Sequence, residues 1–229
     1  MSEDPPEARP LRQGTPLPWD GHPERADVLL MGGIVASGLY LLALIPLTPV
    51  LVGDHPVWLE LLKGSISGMV TMGAQSRVGT ASLWVAVLAA IPGLMLFDWL
   101  YWWAGARWGR RAIDVFIGNH PKAAQRTERL ERIVHRFGWL AVAIAYFQPI
   151  PNALIYAAAG WTRMRLWVFL VLDLIGSLLW IALCVGLGYA IGQRAVDVAH
   201  AVSRYALYLT IALVVVVVGR QYYAASRRR

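Results

Sequence analysis

The sequence predicts an all-α integral membrane fold, with about four spanning helices plus one or two re-entrant helical hairpins. Three observations carry that prediction. Of the 229 residues, 57% are hydrophobic and only 15% are charged, whereas a soluble domain carries about a quarter charged residues. Apolar runs long enough to cross about 30 Å of hydrocarbon recur along the chain. One of them, AYFQPIPNALIYAAAG at 145–160, is interrupted by two prolines and two amides where a membrane helix should be most uniform.

Residues 1–26 hold six prolines and mixed charges with no apolar core. They read as a disordered tail; a signal peptide would need a basic start followed by an apolar stretch. A membrane domain follows over 27–219, and 220–229 is a basic tail. The first span runs from Asp27 to about Ile45, ended by Pro46 and Pro49. Residues 50–80 are moderately apolar but broken by Asp54, Pro56, Glu60, Lys63 and glycines. Two short helices that enter and return fit this segment, and so does a polar loop with one interfacial helix.

Residues 81–105 are long enough to span, with a kink expected at Pro92-Gly93. Trp99, Tyr101, Trp102 and Trp103 at the far end read as an interfacial aromatic belt. Segment 106–138 turns basic, and Leu130, Ile133, Val134 and Phe137 follow the i, i+3, i+4, i+7 spacing of an amphipathic helix at the membrane surface. From 139 to 160 the chain is apolar again, yet Pro149 and Pro151 interrupt any helix there. Backbone freed at that depth must be satisfied by protein or by water in a cavity. A re-entrant hairpin meets this need; a single proline-kinked span is the alternative. Two further spans run from about Leu166 to Ile191 and from about Val198 to Val218.

The distribution of charge favours the hairpin. If 139–160 returns to its starting side, all the lysines and arginines except Lys63, Arg77, Arg194 and Arg204 share one side with both termini. By the positive-inside rule that side is cytoplasmic. The net charge of +7 is therefore read as loop orientation and affinity for anionic headgroups, not as nucleic-acid binding. The single cysteine, Cys184, lies in an apolar run and reads as a small buried hydrophobe. No cysteine–histidine spacing suits a metal, and no cofactor is expected. His120 and His135 in the basic loop have no serine or carboxylate arranged with them as a nucleophile–base set, so an enzyme is not expected.

At the centre of the 139–160 stretch, Gln148 and Asn152 offer neutral donors and acceptors beside Tyr146, Tyr156, Pro149 and Pro151. They are candidates for substrate binding at the membrane midplane, where broken helices bind ions and headgroups in many transporters. Satisfying backbone freed by the prolines is their other role. Asp173 is a candidate proton site or cavity-lining group, or else a structural hydrogen-bonding residue. Asp98 is a candidate for the same proton or polar relay, with the structural ion pair to Arg107, nine residues on, as its other role. Asp54 and Glu60 are candidates to line a first hairpin. Arg107, with Arg110 and Arg111, serves either as an orientation signal or as a lipid-phosphate contact.

The chain resembles the DedA-like membrane proteins that share the VTT (SNARE-associated) domain. In DWLYWWAGARWG, residues Asp98, Gly105, Arg107 and Gly109 match the family's acidic residue and its glycine–arginine–glycine series, with Ala106 at the first basic place. Beyond 158, Ala159, Gly160, Met164, Phe169, Gly176, Trp180, Gly188, Tyr189 and Gly192 match its long signature. The resemblance covers 95–192 well and 27–80 weakly. It departs at the hairpin arginines, whose places hold Tyr146 and Asn152, and at the first hairpin's glutamate, where only Gly53-Asp54 matches a family step. The chain thus resembles a divergent branch. The resemblance implies opposed re-entrant hairpins and transport of lipids in a bacterial-type inner membrane. Undecaprenyl (polyprenyl) phosphate or another polar lipid is the implied substrate, with possible proton coupling; a homo-oligomer is also possible. A proton-coupled transporter of small molecules and a lipid-phosphate enzyme are the alternatives.

Overall fold

The computed structural model describes residues 17–19, 22–117 and 137–205. Most of the expected N-terminal tail and all of the basic C-terminal tail lie outside them. Among the described residues every regular element is a helix. Three helical stretches are long and apolar enough to cross a membrane: Arg25–Leu44, Leu83–Trp108 and Leu166–Ile191. Their outer faces show large apolar side chains, such as Leu29, Leu39 and Leu42 on the first and Trp167, Leu179 and Leu187 on the last. A water-soluble monomer seldom presents such continuous stripes; lipid is their natural neighbour.

Helix α1 (Arg25–Leu44) has 20 residues, about 30 Å at 1.5 Å per residue. Pro49, in the first turn of α2 (Thr48–Asp54), starts that helix where its missing N–H costs nothing. Helices α3 (Pro56–Lys63) and α4 (Ile66–Arg77) then form a first helical hairpin. Of the two readings of 50–80, the structure has the short helices. The turn needs Gly64: its φ is +55°, and a Cβ there would lie 2.5 Å from the Leu94 side chain.

The next span is broken. Helix α5 (Leu83–Met95) runs through Pro92 and stops at Leu96-Phe97, before α6 (Asp98–Trp108). The sequence places a kink at Pro92-Gly93, but the helix end lies three residues later. Gly93 serves packing instead, because its missing side chain lets α5 approach the Glu60 carbonyl of α3, which a Cβ would meet at 1.8 Å. At the break, the Trp99 indole N–H donates to the Leu96 carbonyl at 3.1 Å, satisfying one freed group. The expected aromatic belt is only partly on the surface. Trp99 is exposed, whereas Trp102 donates to the Met164 carbonyl at 3.2 Å and packs on Phe169, and Tyr101 packs edge-on to Phe116.

Helix α7 (Arg110–Ile117) follows. The amphipathic pattern of Leu130, Ile133 and Val134 lies outside the described residues. The second hairpin comprises α8 (Leu140–Ala143), a 3-10 turn Ala145–Phe147, an extended tip and α9 (Asn152–Trp161). The two prolines therefore do mark a turn between short helices. Helix α10 (Leu166–Ile191) coincides with its expected span. Helix α11 (Gln193–Arg204) covers the start of the last expected span, whose remainder, 206–218, lies outside the described residues.

Two apolar cores result. One joins α6, α9 and α10 around Leu100, Leu154, Tyr156 and Phe169. The other joins α4, α5 and α10 around Met69, Met72, Ala90, Ile181 and Cys184. The cysteine is buried and free, as its sequence setting predicts. Each hairpin meets α10 at a glycine: Gly188 lies against the Val70 backbone of α4, and Gly176 against the Ala143 backbone of α8. Close backbone approach through small residues is how helices pack where no water drives them together.

Candidate functional site

The break in the second span has a chemical consequence. It makes Asp98 the first residue of α6, a place where the partial positive charge of a helix start favours a carboxylate. The second hairpin brings a tyrosine from each limb to the same place. Tyr146 Oη donates to Asp98 Oδ2 at 3.3 Å, and Tyr156 Oη donates to Asp173 Oδ1 on α10 at 2.9 Å. Ser177, one turn after Asp173, donates to Tyr146 Oη at 3.3 Å. The Asp98 and Asp173 carboxyls lie within hydrogen-bonding reach of each other. Five polar side chains thus meet where three elements cross.

Aromatic packing fixes both phenols. Trp180 stacks on Tyr146 with centroids 6.2 Å apart, and Phe169 meets Tyr156 edge-on at 5.2 Å. Burial across the cluster is uneven. Asp173, Ser177 and Tyr156 are each 0% exposed, while Asp98 and Tyr146 are only partly buried. Asp173 Oδ2 accepts no hydrogen bond from a donor among the described residues. A buried oxygen without a donor is costly unless a proton, cation or ligand reaches it. Among the described residues no lysine or arginine hydrogen-bonds to the cluster. Such an arrangement can share a proton between its carboxyls and offers phenol and hydroxyl donors to a neutral group.

The remaining expectations sort themselves around this cluster. Gln148 and Asn152 are partly buried at the hairpin tip beside exposed Pro149 and Pro151, and neither amide makes a hydrogen bond among the described residues. They therefore do not satisfy the backbone freed by the prolines. The Gln148 N–H instead reaches the Ala145 carbonyl at 3.1 Å, and the Leu154 N–H reaches that of Pro151 at 3.0 Å.

Asp98 is not the partner of Arg107. The two stand at opposite ends of α6, nine residues and about 13 Å apart. Arg107 Nε instead donates to Asp27 Oδ1 at 2.7 Å, and its Nη2 also pairs with Glu24. The Trp108 indole donates to the same Asp27 oxygen at 2.9 Å, and Trp19 packs on Trp108. Arg107 thus ties the start of α1 to the end of α6, so its structural role displaces the lipid-phosphate contact. The signal was in the sequence: an acidic pair at the start of α1 that needs a cation at that membrane face.

Asp54 is also outside the cluster, exposed and 3.8 Å from His200 Nδ1. Glu60 does line the first hairpin. It is 0% exposed, and neither carboxylate oxygen has a hydrogen-bond partner among the described residues. The resemblance gave no clear glutamate in this hairpin, yet one stands there, well buried. Ser177 escaped sequence reading, although its i+4 spacing from Asp173 on an otherwise apolar helix was a usable signal.

Comparison with known proteins agrees with this architecture. The VTT domain model matches residues 65–190. The inner membrane protein YabI of Escherichia coli is 28% identical over 112 residues, which cover 49% of this chain and 43% of YabI. The membrane protein slr0232 of Synechocystis is 32% identical over 123 residues, which cover 50% of this chain and 53% of the relative. The chain therefore spans about half the length of the curated relatives it matches. No solved structure matches it. The matched segment begins at the turn of the first hairpin, includes the whole polar cluster and ends on α10, and the chain belongs to the VTT-domain family of DedA-like membrane proteins.

Proposed function

We propose that this protein is a membrane lipid transporter in which the Asp98–Tyr146–Tyr156–Asp173–Ser177 cluster is the site that takes up and releases a proton as the substrate moves. One observation carries the reading: two carboxyls meet in one cluster with phenol and hydroxyl donors, and a buried Asp173 oxygen has no donor among the described residues. Facing carboxylates repel, and a proton between them relieves that repulsion. An exchangeable proton at a helix break is the element a coupled transporter needs. The reading is of transport and not of catalysis, because the Ser177 hydroxyl donates to a phenol and is not activated by a base.

Membrane lipids are the proposed partners. A polyprenyl phosphate or another polar lipid would pass along the outer side of the second hairpin, where Phe147 and Pro149 are exposed beside the half-buried amides. An amide lining binds phosphate by hydrogen bonds alone, without the charge assistance of an arginine. Such a tip should hold a phosphate more weakly than an arginine-lined one, or take a less charged headgroup. We place the chain in a bacterial-type inner membrane with both termini cytoplasmic, in keeping with its basic loops.

The test is transport by the purified protein in liposomes. Labelled polyprenyl phosphate and labelled phospholipids are followed across the bilayer with and without a proton gradient. Gradient-dependent movement of a lipid is expected, reduced in Asp173→Asn and in Asn152→Ala. Absence of lipid movement under both conditions would overturn the lipid reading and leave the proton-coupled solute transporter.

A further inference from the structure

A second feature lies away from the cluster, where α2, α4 and α11 meet. There the chain forms an open groove of about 470 Å³, within the roughly 300–1,000 Å³ typical of ligand sites. Its walls are almost wholly aliphatic: Val52 from α2, Val70 from α4, and Ala195, Val198, Ala199 and Val202 from α11. Val198 is 63% exposed although it faces an apolar trough. Helix α11 begins directly after α10, so the groove sits at the end of a helix long and apolar enough to span, where an interfacial lipid site would be expected.

One cation lines this groove, and a second reaches one of its lining residues. Arg194, in the first turn of α11, is part of its lining, is exposed, and has no ion pair or hydrogen bond among the described residues. On the opposite wall, Lys63 Nζ donates to Thr48 Oγ1 at 2.8 Å, and Thr48 also lines the groove. The Thr48 hydroxyl proton goes to the Leu44 carbonyl, so the lysine keeps further protons to donate. Among the described residues no carboxylate lines the groove. Of the two nearby acids, Asp197 accepts from Gln193 at 2.8 Å and Asp54 faces His200.

We infer that this groove holds one acyl chain of an anionic glycerophospholipid, with its phosphate between Arg194 and Lys63. An aliphatic trough with Arg194 in its lining and Lys63 on the lining Thr48 complements that molecule, whereas a zwitterionic lipid would bring its own cation beside them and an apolar peptide would use neither charge. The site is distinct from the polar cluster and does not depend on transport.

Binding is read directly, by native mass spectrometry of the full-length protein extracted from vesicles of equal phosphatidylglycerol and phosphatidylcholine. Preferential retention of phosphatidylglycerol is expected. Arg194→Gln and Lys63→Gln should each lower the preference about fivefold, and Val198→Trp, which fills the trough from an exposed position, should lower retention of both lipids. Asp197→Asn, outside the groove, serves as the control. A preference unchanged in the Arg194→Gln, Lys63→Gln double variant would overturn the proposal, as would undiminished retention in a folded Val198→Trp protein. Polyprenyl phosphate outcompeting phosphatidylglycerol would overturn the choice of occupant. If Lys63→Gln does not fold, Arg194→Gln and Val198→Trp decide. Since no lipid has to cross the bilayer, this result and the transport result fail independently.

Discussion

Asp173 and Tyr156 are the residues on which the proposed coupling depends most. Asp173→Asn keeps the shape of the side chain and removes its negative charge. Transport in liposomes should fall about tenfold or more, the scale of losing a charged hydrogen-bonding group. Tyr156→Phe removes only the phenol oxygen, since the ring stays held by Phe169, and a smaller loss of about fivefold is expected. A Tyr156→Phe protein with unchanged rate and unchanged gradient dependence would remove the phenol from the mechanism. Arg107 belongs to stability. Asp27→Asn weakens its pairing and should lower the melting temperature in detergent; Glu24→Gln, at the exposed end of the same pair, should lower it less. Asp173 and the two tyrosines were legible in the sequence as polar groups near a broken apolar run. The pairing of Asp98 was not, because helix spacing reports neighbours on one helix, whereas its partners come from the hairpin and α10.

Among the elements, the hairpins are held by backbone contact at glycines. A Cβ on Gly105 would lie 1.8 Å from the Ala157 carbonyl, and one on Gly160 would lie 1.9 Å from that of Trp102. Neither neighbour is a side chain that can rotate away, so α6 and α9 would have to separate. Gly105→Ala and Gly160→Ala should each cost about 1–3 kcal/mol or more. Gly186→Ala on α10 meets nothing within 4 Å and should be neutral or stabilising by up to about 1 kcal/mol. Thermal unfolding of the three variants in one detergent checks the order. Equal melting temperatures would contradict the close crossing of α6 and α9. The spans and the proline-broken hairpin were readable from hydropathy and from Pro149 and Pro151. The end of α5 at Leu96-Phe97 was not, since no proline or glycine marks it and Trp99 completes it from the following helix.

For the whole molecule, the basic segments and the hairpin predict an even number of crossings between the termini. Reporter fusions at either end should both report the cytoplasm; opposite sides would restore a kinked span at 139–160. The membrane class was evident from composition alone, while the groove beneath α11 was invisible there, because it is assembled from short helices far apart in sequence. The uneven burial of the polar cluster has a further implication. Tyr156 is closed off by Phe169 and by the α6–α9 crossing, whereas Asp98 and Tyr146 keep partial exposure, so the two carboxyls differ in how far they lie from the surroundings of the protein. Under the proposed transport, the edge-on Tyr156–Phe169 pair beside Asp173 has to shift before that carboxyl can be reached from the other side.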